Sequence, residues 1–132
     1  MTATKEKVMT TQEVAHRLVD LCRAGKNGEA VDELYAEQVV SREPEGARPP
    51  TRRNGFKEVK AAKDQWTAMV EQYHGQEYGD PIVAGDHFAV RMGMDVSVKG
   101  MGRSKLDEIA VFKVKDGKVV EEHFHYSPPP MN

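Results

Sequence analysis

Apolar residues recur along this chain with two periods, a helical one in the first half and a strict alternation in the second. Val14, Leu18, Leu21 and Cys22 fall at helical spacing behind Thr10. Thr10 and Glu13, three positions on, form the reciprocal pair that satisfies free N–H groups at a helix start, and Gly25 supplies the stop. Asn27 is placed to cap a second, short helix carrying Ala30, Val31, Leu34 and Tyr35. Val39 to Glu43 reads as a short strand ended by Pro44 and Gly46, and Ala47 to Asn54 as a basic, proline-bearing loop. A long third helix is predicted from Gly55, with Val59, Ala62, Trp66, Met69, Val70 and Tyr73 as its apolar stripe, fraying at His74-Gly75.

Beyond that point the pattern predicts strands alone. Glu77 to Ala84 leads through Gly85-Asp86 into Phe88 to Val98, where Phe88, Val90, Met92, Met94, Val96 and Val98 share one face. Gly100 and Gly102 turn the chain into Ser104 to Lys115, and Asp116-Gly117 makes a tight hairpin into Lys118 to Tyr126. Three helices with one short strand among them, then a meander of long antiparallel strands, predict an α+β fold in which the helices cover the apolar face of the sheet.

Composition narrows the function classes. A chain of 132 residues makes one domain with a real core. Residues 1–9 read as a frayed polar lead-in, 10–127 as the domain and 128–132 as a tail. The net charge of −2 leaves no basic excess for a phosphate backbone, so nucleic acid is not an expected partner. One cysteine, Cys22, precludes an intrachain disulfide and suits a reducing cytosol, where it packs on a buried helix face. No signal-peptide or membrane-spanning stretch stands out, so the expected location is cytoplasmic, without a membrane partner. Glycine-rich phosphate loops, Ser-His-Asp patterns and cysteine pairs are missing from the sequence, and no cofactor is expected.

Ala24-Gly25 with its following short helix, Glu43-Pro44-Glu45-Gly46, Gly55 opening the long helix, and Val111 to Val119 together resemble the nuclear transport factor 2-like superfamily, in its SnoaL-like branch. The resemblance runs from about Thr11 to Tyr126 and implies a cone-shaped, bent antiparallel sheet wrapped around a pocket by three N-terminal helices, a cystatin-like arrangement. Relatives include polyketide cyclases and ketosteroid isomerases. Against the isomerase pattern Glu43 stands at the general-base position, whereas the oxyanion donors are replaced by Leu18 and Ala110. Losing both donors argues against enolisation of a steroid-like ketone.

The resemblance also sets strand parity. Leu106, Glu108, Ala110 and Phe112, then Glu122, Phe124 and Tyr126, are expected to face inward with Val90, Met92, Met94 and Val96. Trp66 and Met69 would lie above them. Glu43, Glu108, Glu122 and Tyr126 become the candidate catalytic residues, with Glu43 as acid or base. Leu18, Tyr35, Trp66, Met69, Met92, Met94, Ala110, Phe112 and Phe124 become candidate ligand-lining residues. The plainer alternatives are a solvated or Arg-paired Glu108 or Glu122, and ordinary core packing for Trp66 and the methionines.

His123 and His125 share the outer face with Arg91, Ile109 and Val111, a surface too apolar to face water alone. In many relatives this face joins two copies, so a homodimer is expected, with the histidines as interface hydrogen-bonding groups. A metal site at His123 and His125 is the weaker alternative. The run Arg48 to Arg53 could close over the pocket mouth or simply be solvated. The expected function is binding of, or proton transfer on, a small and largely apolar molecule by isomerase, cyclase or dehydratase chemistry. The rival is a non-catalytic dimeric binding or accessory module.

Overall fold

The computed structural model describes residues 7–128, so residues 1–6 of the lead-in and 129–132 of the tail lie outside the described part. Helix α1 (Thr11–Arg23) starts as its sequence requires: the Thr10 hydroxyl accepts from the Glu13 N–H while the Glu13 carboxylate accepts from the Thr10 N–H. It ends at Ala24, and Gly25 takes the left-handed conformation that lets the chain leave. Its buried face, Val14, Ala15, Leu18, Val19, Leu21 and Cys22, meets α2 (Asn27–Leu34) and the sheet. Asn27 does not cap α2. Lys26 holds that position without a side-chain bond, and the Asn27 amide donates to the Tyr78 hydroxyl instead.

Helix α2 passes directly into β1 (Tyr35–Arg42), so Tyr35 is the first residue of a strand rather than the last of a helix. The basic loop contains a short strand, β2 (Arg52–Asn54), antiparallel to β1. Helix α3 (Phe56–Met69) is shorter than its apolar pattern predicts, because Val70 and Tyr73 belong to β3 (Val70–Tyr78). Both residues fit a helical stripe locally. The decision is non-local: β5 (His87–Val98) offers its ladder to β3 from Val98 back to Met92, and the Lys99 N–H satisfies the Met69 carbonyl at the helix end. The predicted strand Glu77 to Ala84 is split accordingly between the end of β3 and a separate short β4 (Ile82–Ala84).

Strands β6 (Gly102–Lys115) and β7 (Lys118–His125) complete a seven-stranded sheet in the order β2-β1-β7-β6-β5-β3, with β4 also paired to β5. The long meander is antiparallel as predicted, but β1 runs parallel to β7, so the curved sheet is mixed and not closed. The parity read from the sequence holds, with Val90 opposite Ala110, Met92 opposite Glu108, and Ala110 in turn opposite Phe124. An irregularity in the β6–β7 ladder lies near the hairpin, between the pairs Lys113–Glu121 and Val114–Val119. It lets both Val119 and Glu122 be buried without inverting the parity beyond.

The core gathers between helices and sheet from Val14, Leu18, Leu34, Val39, Val59, Val90 and their neighbours, with the Phe88 and Phe112 rings stacked at 4.7 Å. No helix among the described residues is long and apolar enough to cross a membrane.

Asp116-Gly117 turns β6 into β7 with positive φ at both residues, as a two-residue hairpin of this twist needs. Gly117 is further restricted, because a Cβ there would come 2.8 Å from Val8 Cγ1 and 3.1 Å from the Met9 nitrogen. Gly117→Ala should therefore cost about 2 kcal/mol, from left-handed backbone strain and from displacing the segment before α1. Denaturant unfolding of the two proteins checks this; unchanged stability would mean that the contact with Val8 and Met9 is immaterial.

Candidate functional site

Strand β1 places Val39, Ser41 and Glu43 on the inner face at alternating positions. The Glu43 N–H donates to the Thr51 carbonyl at 2.7 Å, which keeps the chain extended just past the strand end, before Pro44 breaks it. Parallel pairing sets Ser41 beside Glu122 and Arg42 beside His123, bringing the end of β1 next to the end of β7. Across β6, Glu108 continues the inner row in the same pairing that matches Ala110 with Phe124. Glu43, Glu108, Glu122 and Tyr126 therefore share one face, although Glu43 is 65 residues or more from the other three in the chain.

Glu122 is the most enclosed of the four, at 1% exposure. Its Oε2 accepts from the Tyr35 hydroxyl, and its Oε1 accepts from the Ser41 hydroxyl at 2.8 Å and pairs with Lys63 Nζ at 2.9 Å. The ammonium of Lys63 also lies 5.1 Å from the centre of the Phe124 ring and 5.6 Å from that of Tyr35. Burial, followed by the Glu122 charge, pushes the Tyr35 phenol well above its ordinary pKa, so it stays a neutral donor.

Glu43 and Tyr126 form the second unit, with the Tyr126 hydroxyl donating to Glu43 Oε2 at 2.8 Å. Burial raises the Glu43 pKa, opposed by the Tyr126 bond and by the charges of Lys63 and Arg53. Glu108 is pushed up to about 7, first by burial and then by the negative charge of Glu43, with Lys63 pulling the other way. Tyr126 is raised by burial and by both carboxylates. Two desolvated carboxyl groups thus face each other's fields with a neutral phenol bound to one of them, an arrangement in which one can hold a proton while the other is charged near neutral pH.

The remaining sequence candidates divide by burial. Leu18, Ala110 and Phe112 sit in the sealed core at 2% exposure or less. Trp66, Met69, Met92, Met94 and Phe124 are half-buried, and Met92 stands opposite Glu108 in the β5–β6 ladder, so the inner face is less covered there than in the core. Two recesses on the described surface lie elsewhere. One, of about 640 Å³, is formed by Val8–Gln12 against Val83 and the β6–β7 turn. The other, of about 140 Å³, lies around Arg42, Val111, Lys113, His123 and His125, and of the four site residues only Glu122 borders it.

Reasoning from sequence passed over Lys63 and Ser41. Lys63 lies four residues after Val59 and three before Trp66, so it interrupts the apolar stripe of α3; a charge at that spacing was the available signal. Ser41 sits between Val39 and Glu43 in the same alternation, a polar residue at an inward position.

On the outer face Arg91 and Asp107 form a two-pronged ion pair at 3.0 and 2.9 Å, and Ile109 is 49% exposed. The His123 and His125 rings lie 4.2 Å apart, and burial, then His125 and Arg42, lower the His123 pKa. Among the described residues no group of three His, Cys, Asp or Glu side chains is gathered closely enough to hold a metal, so the two histidines lack a third ligand there.

Two measurable consequences follow from this geometry. Lys63→Met leaves Glu122 buried without its cation and should cost on the order of 3 kcal/mol in denaturant unfolding, whereas Lys63→Met with Glu122→Met should cost less than the two single changes added. Additive losses would deny the pair any coupling. Because folding raises the Glu108 pKa, protonation favours the folded chain. That contribution is complete below the ordinary value of 4.5 and is lost as pH rises through about 7. Glu108→Gln should flatten the stability loss across this window, which thermal unfolding at several pH values reads directly; an unchanged slope would place Glu108 in water.

Solved structures carry the same fold. One from Mesorhizobium loti, provisionally described as a SnoaL-like polyketide cyclase, is 32% identical, with a TM-score of 0.84 over 89% of this chain and all of its own. A protein of unknown function from Burkholderia pseudomallei, described as NTF2-like, is 17% identical over 90% of this chain and 92% of its own, with a TM-score of 0.72. A hypothetical protein from Catenulispora acidiphila with a ketosteroid isomerase-like fold, solved with trimethylamine, is 18% identical over 89% of this chain and 88% of its own, with a TM-score of 0.68. Comparison with the curated proteins found no match. The SnoaL-like domain profile matches residues 9–126, nearly the whole of what the helices and the curved sheet comprise, and the chain belongs to that family.

Proposed function

We propose that this protein binds a small, largely apolar molecule against the half-covered end of its inner sheet face and moves a proton on it, with Glu43 and Glu108 as the exchanging groups. The observation that carries this reading is the pair itself: two desolvated carboxyl groups on one face, one of them with a pKa near 7 and the other bound by a neutral tyrosine. A general acid and a general base are most effective when their pKa values lie near the working pH; burial pushes Glu108 up to about 7 and shifts Glu43 in the same direction. The ionised Glu43 takes a proton from the bound molecule and becomes neutral; Glu108 gives its proton at a second atom and becomes charged. A proton returning from Glu43 to Glu108 resets the site, so isomerisation, cyclisation or dehydration needs no redox partner. Half-buried Trp66, Met92 and Phe124 offer the apolar surface for the ligand.

A non-catalytic binding module is the competing reading, and one probe separates the two. 2-Tetralone is small and apolar, and its C–H bonds beside the carbonyl are acidic enough to exchange without a complete oxyanion site. In D₂O the protein should speed deuterium uptake into this ketone about 10²-fold or more over Glu43→Gln and Glu108→Gln. Trp66 is the only tryptophan, so its fluorescence reports binding separately. Binding with equal exchange rates in all three proteins would leave a binding module and refute proton transfer.

A further inference from the structure

We infer that Lys63 is the ligand-anchoring residue of the inner face, and that it selects molecules bearing an anionic oxygen such as a carboxylate. The assignment rests on the reading of this face as a small-molecule site, and it adds the chemical class of the ligand. Three observations lead to it.

Lys63 is a charge on the apolar side of α3, at 31% side-chain exposure, and it points at the inner sheet face instead of reaching for bulk water. A lysine only half in solvent, with aromatic rings at 5.1 and 5.6 Å, has exchanged part of its hydration for fixed surroundings. Its partner Glu122 is already supplied with donors by Tyr35 and Ser41. An ammonium carries three N–H groups, and a single carboxylate contact at 2.9 Å uses one. Among the described residues no other acceptor is bonded to Lys63 Nζ, so the remaining N–H groups are available to a ligand oxygen. Finally, its positive charge is felt by both Glu43 and Glu108, which share the inner face with its partner Glu122.

Glu122, with Tyr35 and Ser41, is then a positioning group: it fixes the ammonium without touching the ligand. The arrangement also supplies a fixed positive charge on a face whose Leu18 and Ala110 positions offer no side-chain donor. An anion at Lys63 is repelled by Glu122, 2.9 Å from the ammonium, and by ionised Glu43 and Glu108, while the neutral Tyr126 and Tyr35 phenols do not oppose it and Arg53 favours it. Anion binding should therefore take up a proton and weaken as pH rises through the titration of these carboxyl groups.

The test uses three probes of matched shape, 4-phenylbutyrate, 4-phenylbutan-1-ol and 4-phenylbutylamine, titrated calorimetrically into the whole protein from pH 6 to 9. The carboxylate should bind about tenfold more tightly than the alcohol at the low end, a difference of about 1.4 kcal/mol, and the preference should shrink toward high pH. Lys63→Met should erase the preference while the alcohol still binds, and Lys63→Arg should restore it in part. Because Lys63→Met alone strands a buried carboxylate, the double variant Lys63→Met, Glu122→Met provides the same comparison in a chain without that strain. Tightest binding by the amine, or a carboxylate-to-alcohol ratio unmoved in the folded double variant, would overturn the assignment of Lys63. If no probe binds, the alcohol included, the small-molecule reading of the inner face fails with it; binding of the alcohol without a carboxylate preference removes only Lys63.

Discussion

A carboxylate at 1% exposure persists only if donors surround it, and Glu122, on β7, gathers its donors from β1 and α3, both far from it in sequence. Tyr35 comes from the point where α2 becomes β1, Ser41 from near the end of β1, and Lys63 from α3. The parallel register of β1 and β7, the seating of α3 on β1 and the turn-free entry into β1 must all be right at once for Glu122 to be satisfied. The same alignment carries Glu43 and Tyr126 to neighbouring positions just beyond the paired strand ends. A one-residue slip between β1 and β7 would turn Glu122 or Ser41 to the opposite face and strand the rest.

The inner face is therefore graded. At one end it is dry and closed, with Leu18, Ala110, Val90 and the stacked Phe88 and Phe112 rings forming an ordinary core. At the other end half-buried Met92 stands beside Glu108, and half-buried Phe124 lies under the ammonium that pairs with Glu122. Polar groups there are desolvated enough for their proton affinities to shift, yet all of the buried ones among the described residues have partners. Burial raises Glu43 and Glu108, while Lys63 keeps both from rising further. The cation that supports the buried carboxylate thus also tunes the pair beside it.

Membership of the SnoaL-like family accounts for the architecture but not for this chemistry, since one fold carries many reactions. The polar groups at inward positions of this chain are what give its inner face a chemistry. Leu18 and Ala110 are sealed in the core, whereas Lys63 brings a positive charge in from the helix layer. The polar groups that this face does present are Lys63, Glu43, Glu108 and Tyr126, with Glu122 bonded to Tyr35 and Ser41 beside them.

Local rules were legible wherever neighbouring residues decide the outcome. Thr10 and Glu13 fixed the start of α1, Gly25 its end, Asp116-Gly117 the last hairpin, and strict alternation the inward row from Phe88 through Phe112. The inward placing of Glu43, Glu108 and Glu122 follows from the same alternation once a resemblance sets its phase. What sequence alone could not decide depended on distant partners. Val70 and Tyr73 suit a helix until β5 offers them a ladder, and Asn27 suits a cap until the Tyr78 hydroxyl competes for its amide. Lys63 stands out in the sequence only as a charge within the apolar stripe of a helix; the packing of α3 on β1, beside β7, makes it the counterion of a buried carboxylate, because that pairing is set by contacts some 60 residues apart rather than by any period in the chain.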